Sequence, residues 1–212
     1  MSLARLAICM GDPGGIGPEV ALKAALDARL NEHCRVLLVG DATAMAMQAR
    51  ACGIDPAFLV YEDASAVDWD RDGLRLLQIR PGLAEPPVLG EIRAEHGRAA
   101  VASARLAVQA ALQGKIDAVV AAPQTELAIA RAGIAFDGYP TLVAQCTGTP
   151  KEDVFLMLCF DRMRIAHVIS RYNRGGTATW LNVLVREQRA AGHEVAVLSG
   201  YVQTMNDPTG VS

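Results

Sequence analysis

A chain of 212 residues, 51% hydrophobic and 20% charged, is long enough for one sizeable core, or for a domain and part of another, and too apolar to stay disordered. A net charge of −3 and a pI near 5.8 exclude a nucleic-acid binder working through a basic face. No apolar run nears the roughly 20 residues that span a bilayer, and the run after Arg5 is too short for a signal peptide; the expected location is cytoplasmic, with no membrane and no nucleic-acid partner.

The chain order is strand, then helix, repeated. Leu6–Met10 reads as a strand. It runs into Gly11-Asp12-Pro13-Gly14-Gly15-Ile16-Gly17-Pro18-Glu19, four glycines and two prolines in nine residues, a composition for a shaped turn and not for a core. Pro18 suits the first turn of the helix expected over Pro18–Leu30, whose free N–H groups are able to face an anion. The spacing is neither GxxxxGK[ST] nor GxGxxG, so a ligand site and a plain sharp strand-to-helix turn are both open here, and the spacing does not name a ligand.

Arg35–Gly40 is a continuous apolar run of the kind buried parallel strands show. Asp41 is placed to cap a helix over Ala42–Ala51, which Gly53 ends. Phe58–Tyr61 and Leu74–Ile79 read as strands, with an Asp- and Pro-rich excursion over 62–90 that Arg80-Pro81-Gly82 and Glu85-Pro86-Pro87 keep from being helical. Glu91–Gln113 is an Ala-rich helix closed by Gly114. Lys115–Ala122 is a strand stopped by Pro123. Thr125 is placed to cap a helix over Glu126–Ala132. Phe136–Pro140 reads as a turn and Thr141–Cys146 as the start of another helix. Val154–Cys159, Arg164–Ile169 and Glu194–Ser199 are further strands.

That alternation with short connectors is the signature of an α/β domain with a largely parallel sheet, where ligands bind outside the carboxyl ends of strands. Asp12 is expected to contact a ligand or orient a helix start. Glu19 is expected to pair with N–H groups of its own first turn. Tyr139 is expected to touch substrate. Gln124, Thr125 and Glu126 form a strand-end turn where ligand contact and a plain turn are both open. His96 is read as a packing or surface residue, His33 and His193 as surface residues, and His167 as a core or near-core residue. Cys9, Cys34, Cys52, Cys146 and Cys159 lack CxxC spacing and read as reduced thiols.

GDPGGIGPE after the first strand resembles the opening of the 4-hydroxythreonine-4-phosphate dehydrogenase family of vitamin B6 biosynthesis. EIRAEHGRAAVASARLA, GKIDAVVAAPQTELAIARAGIAFDGYPTLVA and VFLML follow in that family's order, so the resemblance covers residues 3–162. It implies an isopropylmalate-dehydrogenase-like lobe of a two-lobed fold and a homodimer. It also implies an NAD- and divalent-metal-dependent (Zn, Mg or Co) oxidation of a small carboxylated secondary alcohol, followed by decarboxylation. By the same resemblance Tyr139, Pro140, Thr141, Asp12 and Glu126 are the substrate-binding positions.

Three departures qualify it. Biosynthetic members carry His-Thr after the Phe-x-Gly turn, where this chain has Tyr139-Pro140 and then Thr141. They carry Lys where this chain has Glu126. Both changes resemble the branch of cis-dihydrodiol dehydrogenases of terephthalate breakdown and disfavour a phosphorylated substrate, since Glu for Lys reverses the charge. The metal-ligating His position falls at Arg171, which cannot ligate a cation, so no metal ligand is assigned. From Met163 the stretch MRIAHVISRYNRGGTATWLNVLVREQRAAGHEVAVLSG looks like the first strand-loop-helix-strand of a GT-B glycosyltransferase. The expected division is a dehydrogenase-like part over 1–162, a βαβ stretch over 163–200 and a tail over 201–212. The family's later His ligands and most of its nicotinamide contacts are not in this sequence, so a truncated or chimeric product, inactive alone, is the competing expectation.

Overall fold

The computed structural model describes residues 3–55, 57–154, 164–169 and 176–199. The chain divides into two compact units, Met1–Leu156 and Met157–Ser212.

In the first unit five parallel strands form one sheet. Their ranges are β1 Ala4–Cys9, β2 Cys34–Gly40, β3 Phe58–Tyr61, β4 Leu74–Gln78 and β5 Ala118–Ala121. The spatial order is β3-β4-β2-β1-β5, with Leu6 opposite Val36 on one side and Ala118 on the other. The two-residue period of a strand sorts the core into two layers. Ala7, Cys9, Leu37, Val39 and Leu77 point one way, into a cluster with Val101, Ala104, Ala107 and Ala110 of α4 (Ala94–Leu112). Ile8, Met10, Val36, Leu38 and Leu76 point the other way, onto α1 (Gly17–Leu26) and α3 (Ala42–Ala51) through Leu22, Ala25, Met45 and Ala49. Both faces of the central strands are therefore dry, which is why their sequences are continuous apolar runs. Burial pushes the Cys9 thiol up to about 12, so it stays a protonated core residue.

Small residues on α4 set its distance from its neighbour. A Cβ on Gly97 would lie 2.3 Å from the carbonyl carbon of Ala128, in α5 (Glu126–Arg131), so the two helices cross almost backbone to backbone. The 62–73 excursion is held by Arg75, a buried cation whose Nε donates to Asp68 O at 2.9 Å and whose Nη2 donates to Trp69 O at 2.9 Å.

Asp41 caps α3 as expected and does more. Its Oδ1 accepts from Ala44 N at 3.0 Å, and its Oδ2 accepts from Leu83 N at 3.0 Å and from Gln78 Nε2 at 3.2 Å. One buried carboxylate joins the ends of β2 and β4 to the loop beyond. Asp41→Ala is expected to cost about 2 kcal/mol, read as a lower urea midpoint, with Asp41→Asn losing less because an acceptor remains. Equal midpoints for Asp41→Ala and the unaltered chain would show that the cap contributes nothing.

Several expectations need correction. The helix expected over Pro18–Leu30 is two, α1 and the short α2 (Ala28–Asn31), because Asp27 leaves helical geometry (ψ 117°) and accepts from Arg29 N at 2.9 Å. α4 starts at Ala94 and not at Glu91, and β5 is four residues long. Thr125 sits at the start of α5, but its side chain makes no capping bond. Gly138, Tyr139 and Pro140 open the helix α6 (Gly138–Thr147) and do not belong to a preceding turn. Pro140 is tolerated there because an N–H in the first turn has no helical partner anyway.

The second unit holds β6 (Arg164–Ile169), α7 (Gly176–Ala190) and β7 (Glu194–Ser199). The strands pair in parallel, Arg164 opposite Glu194 through Ile169 opposite Ser199, with Leu181, Val185 and Val195 as a small core. These elements form as expected, and His167 falls in β6. The rest of the strand expected to Cys159, and Arg171, lie outside the described residues.

Candidate functional site

The strand order fixes where a site belongs. After β1 the chain turns to the α1 face and proceeds to β2, whereas β5, on the other side of β1, feeds α5 on the α4 face. Connections leaving two adjacent parallel strands for opposite faces open a crevice at their carboxyl ends. The glycine-rich loop and the Pro123–Glu126 turn occupy those two ends.

The two loops are stitched together. Asp12 N donates to Pro123 O at 3.0 Å. Gly11 has φ +68°, and a Cβ there would lie 2.2 Å from Pro123 O. A Cβ on Gly17 would lie 2.3 Å from Met10 O, so α1 starts directly against the end of β1. Asp12 is turned inward, 4% exposed, and its Oδ1 accepts from Gly14 N at 2.9 Å, while Gly15 N donates to Asp12 O at 3.1 Å. Asp12 thus shapes the turn that precedes α1. Ile16 offers α1 no side-chain cap, which leaves the N–H groups of Gly17 and Glu19 without that kind of partner. Glu19 does not turn back to them: its carboxylate pairs with Lys23 Nζ at 2.5 Å, one turn on.

His96 lies beneath this loop. It is 0% exposed, and its Nδ1 is 3.1 Å from Glu91 O and 3.7 Å from Asp12 Oδ1. A carbonyl only accepts, so Nδ1 is the nitrogen that carries the proton in this pair. Among the described residues Nε2 is buried without a hydrogen-bond partner. Gly14 is where the ring needs space: a Cβ there would lie 2.5 Å from His96 Nδ1. Gly14 O also accepts from Gly90 N at 2.9 Å, which lays the 83–92 segment alongside the loop. His96 packs, as one of its two expected roles has it, and what it packs against is the glycine-rich loop. The one sequence signal for it is a lone imidazole followed by Gly97 in an Ala-rich helix.

The other expected site residues gather at the end of β5. Tyr139 OH donates to Ala122 O at 2.9 Å, and its ring meets Phe136 edge-on at 6.0 Å. Burial pushes the Tyr139 phenol up to about 12. Thr141 Oγ1 donates to Asp137 O at 3.1 Å, and Pro140 is half-buried in the same turn of α6. Glu126 is exposed at the first position of α5, and Gln124 Oε1 is buried without a hydrogen-bond partner among the described residues. Asp12 reaches this cluster through Pro123, and Tyr139 reaches it through Ala122. No hydrogen bond joins the side chains of Asp12, Glu126 and Tyr139 among the described residues.

The raised phenol gives a signed expectation. A phenol with a folded value near 12 and an unfolded value near 10 contributes stability below pH 10 that is lost as pH rises from 10 towards 12. Absorbance titration at 295 nm is expected to show one tyrosine ionising near 12, absent in Tyr139→Phe. Ionisation of every tyrosine near pH 10 in the folded protein would contradict the burial.

Among the described residues no group of three or more His, Cys, Asp or Glu is placed to hold a metal ion, and no helix is long and apolar enough to cross a membrane.

The family described as pyridoxal phosphate biosynthetic protein PdxA matches residues 32–172. A 1,2-dihydroxy-3,5-cyclohexadiene-1,4-dicarboxylate dehydrogenase of Comamonas sp. is 40% identical over 166 residues, 77% of this chain and 48% of that protein. A 4-hydroxythreonine-4-phosphate dehydrogenase of Vibrio cholerae is 32% identical over 168 residues, 79% of this chain and 49% of that protein. The chain thus spans about half the length of the curated relatives it matches. Among solved structures, a 4-hydroxythreonine-4-phosphate dehydrogenase from Burkholderia phymatum superposes with a TM-score of 0.66 at 21% identity, over 92% of this chain and 74% of that one. A terephthalate 1,2-cis-dihydrodiol dehydrogenase from Burkholderia xenovorans LB400 superposes with a TM-score of 0.57 at 22% identity, over 95% and 80%. These likenesses show the α/β fold. The family match runs past Met163 to residue 172 and gives the glycosyltransferase-like reading from 163 no support.

Proposed function

The chain belongs to the PdxA family, and from that premise we propose that it carries part of an NAD-dependent dehydrogenase that oxidises a small carboxylated secondary alcohol, with decarboxylation following. The observation that carries the reading is the pair of stitched loops at the crevice between β1 and β5. When bound, NAD supplies the hydride acceptor. The uncapped start of α1, from Gly17 on, offers main-chain N–H groups to an anionic part of cofactor or substrate, while the N–H groups of Gly14 and Gly15 are held by Asp12. The hydroxyls of Tyr139 and Thr141 are spent on Ala122 O and Asp137 O, so these residues, with Pro140, act by shaping a wall and not by moving protons. A divalent metal belongs to the family reading, but the described residues provide no cluster for one. A homodimer and a cytoplasmic location go with the same reading.

One observation favours the dihydrodiol branch over the phosphorylated amino alcohol. Glu126 places an exposed carboxylate just after β5, where a phosphate dianion would be repelled, and the Tyr139 ring, held at Ala122 O, adds apolar surface at the end of the same strand. The relative at 40% identity acts, by its name, on a cyclohexadiene diol dicarboxylate. Purified protein is expected to form NADH, followed at 340 nm, with a cis-dihydrodiol dicarboxylate and not with 4-phosphohydroxythreonine. The reverse preference would overturn the substrate assignment. No NADH with either, and no NAD binding by calorimetry from a folded sample, would overturn the activity.

A further inference from the structure

We propose that a groove of about 290 Å³ between α4 and the end of β4 binds a small carboxylate carrying an apolar body. The groove lies apart from the two stitched loops. Arg105 is nine residues along α4 from His96, about 13 Å of helix, and no residue named in the dehydrogenase reading lines it.

Its floor is apolar: Ile79 from the end of β4, with Ala102 and Leu106 from α4. Its walls carry two guanidinium groups, Arg80 and Arg105, against one carboxylate, Glu62. The net balance is one positive charge. Arg105 is half-buried and donates from Nη2 to the neutral Gln145 Oε1 at 3.1 Å; no carboxylate stands within ion-pair distance of it among the described residues. Arg80 does pair with Glu62, but the two side chains are 67% and 68% exposed, so water screens the pair and it holds Arg80 weakly.

A guanidinium with only an amide for company, above a floor of aliphatic carbons, matches a ligand with a carboxylate at one end and a ring or short chain at the other. The planar fork of Arg105 binds a carboxylate through two parallel hydrogen bonds. The volume stands at the lower end of the range for small-molecule sites, which limits the ligand to roughly the size of benzoate. Bare phosphate satisfies the charge and leaves the floor wet. A neutral ring satisfies the floor and leaves Arg105 uncompensated.

The test uses methyl and amide NMR of the full chain with three probes: benzoate, benzamide and inorganic phosphate. Benzoate is expected to shift the methyl signals of Leu106 and Ile79, with benzamide and phosphate each at least tenfold weaker. Arg105→Gln is expected to weaken benzoate at least tenfold. Glu62→Gln, an exposed change that leaves the core intact, removes the competitor for Arg80 and is expected to tighten benzoate several-fold. Absence of shifts at Leu106 and Ile79, equal binding of phosphate or benzamide, or unchanged benzoate affinity in both variants would overturn the proposal.

Discussion

Gly11→Ala is expected to cost about 3–4 kcal/mol, combining a non-glycine residue forced to positive φ with overpacking against a neighbour. Gly11 has φ +68°, and the added Cβ would sit 2.2 Å from Pro123 O and 2.9 Å from Ala122 O. Those are main-chain atoms at the end of β5, so no side-chain rotation relieves the contact. Relief requires β5 to part from β1 at the register pair Cys9–Ala121, or the loop to abandon the Asp12–Pro123 hydrogen bond. Gly53→Ala separates the two contributions. Gly53 has nearly the same φ, +69°, with nothing within 4 Å of the added Cβ, so only the backbone cost of about 1–2 kcal/mol applies. Urea unfolding of both variants, followed by circular dichroism, reads the difference. Since whole-domain stabilities run at about 5–15 kcal/mol, the Gly11 variant is expected to be partly unfolded at modest denaturant. Equal losses at the two positions would mean that the strand ends are not in close approach.

The contrast between those glycines shows what the sequence makes legible. β2 and α3 are readable nearly to the residue, because a run dry on both faces has to be continuously apolar and because Asp41 and Gly53 punctuate the helix. The glycine loop is readable as a shaped turn between β1 and α1 because four glycines and two prolines in nine residues do not build a core. Asp27 is a different case. Its neighbours keep the helical period, and only the choice of its short carboxylate to bond Arg29 N breaks α1 from α2. α6 begins early because the first turn of a helix has no use for the N–H that Pro140 lacks. Both outcomes depend on local competition that periodicity does not register. The support of the site is further from view. Tyr139 meets Ala122, and His96 meets Gly14 and Asp12, through contacts between segments far apart in the chain. A histidine in an Ala-rich helix looks the same in sequence whether it faces water or lies beneath a glycine-rich loop.

Gly14 and His96 are expected to behave as one unit. Gly14→Ala alone brings a Cβ to 2.5 Å from His96 Nδ1 and 2.7 Å from Cε1, and the ring is enclosed, so it has nowhere to move. The expected cost is about 1–3 kcal/mol. His96→Ala alone empties the space under the loop and takes the donor from Glu91 O, an expected loss of about 2–4 kcal/mol. In the double variant the methyl at position 14 enters the space the imidazole has left. The clash with the ring is then gone, a 3.1 Å approach to Glu91 O remains, and the cavity is partly filled. The double variant is therefore expected to be more stable than the sum of the two losses by about 1–2 kcal/mol. Four unfolding curves in urea close the cycle, and the NADH formation proposed for this chain, followed in the same four proteins, adds a second reading. If the imidazole serves the loop, turnover falls in each single variant and recovers in part in the double variant. If His96 only fills the interior, stability shows the coupling and turnover does not. Strict additivity in stability would mean that the loop does not rest on the ring.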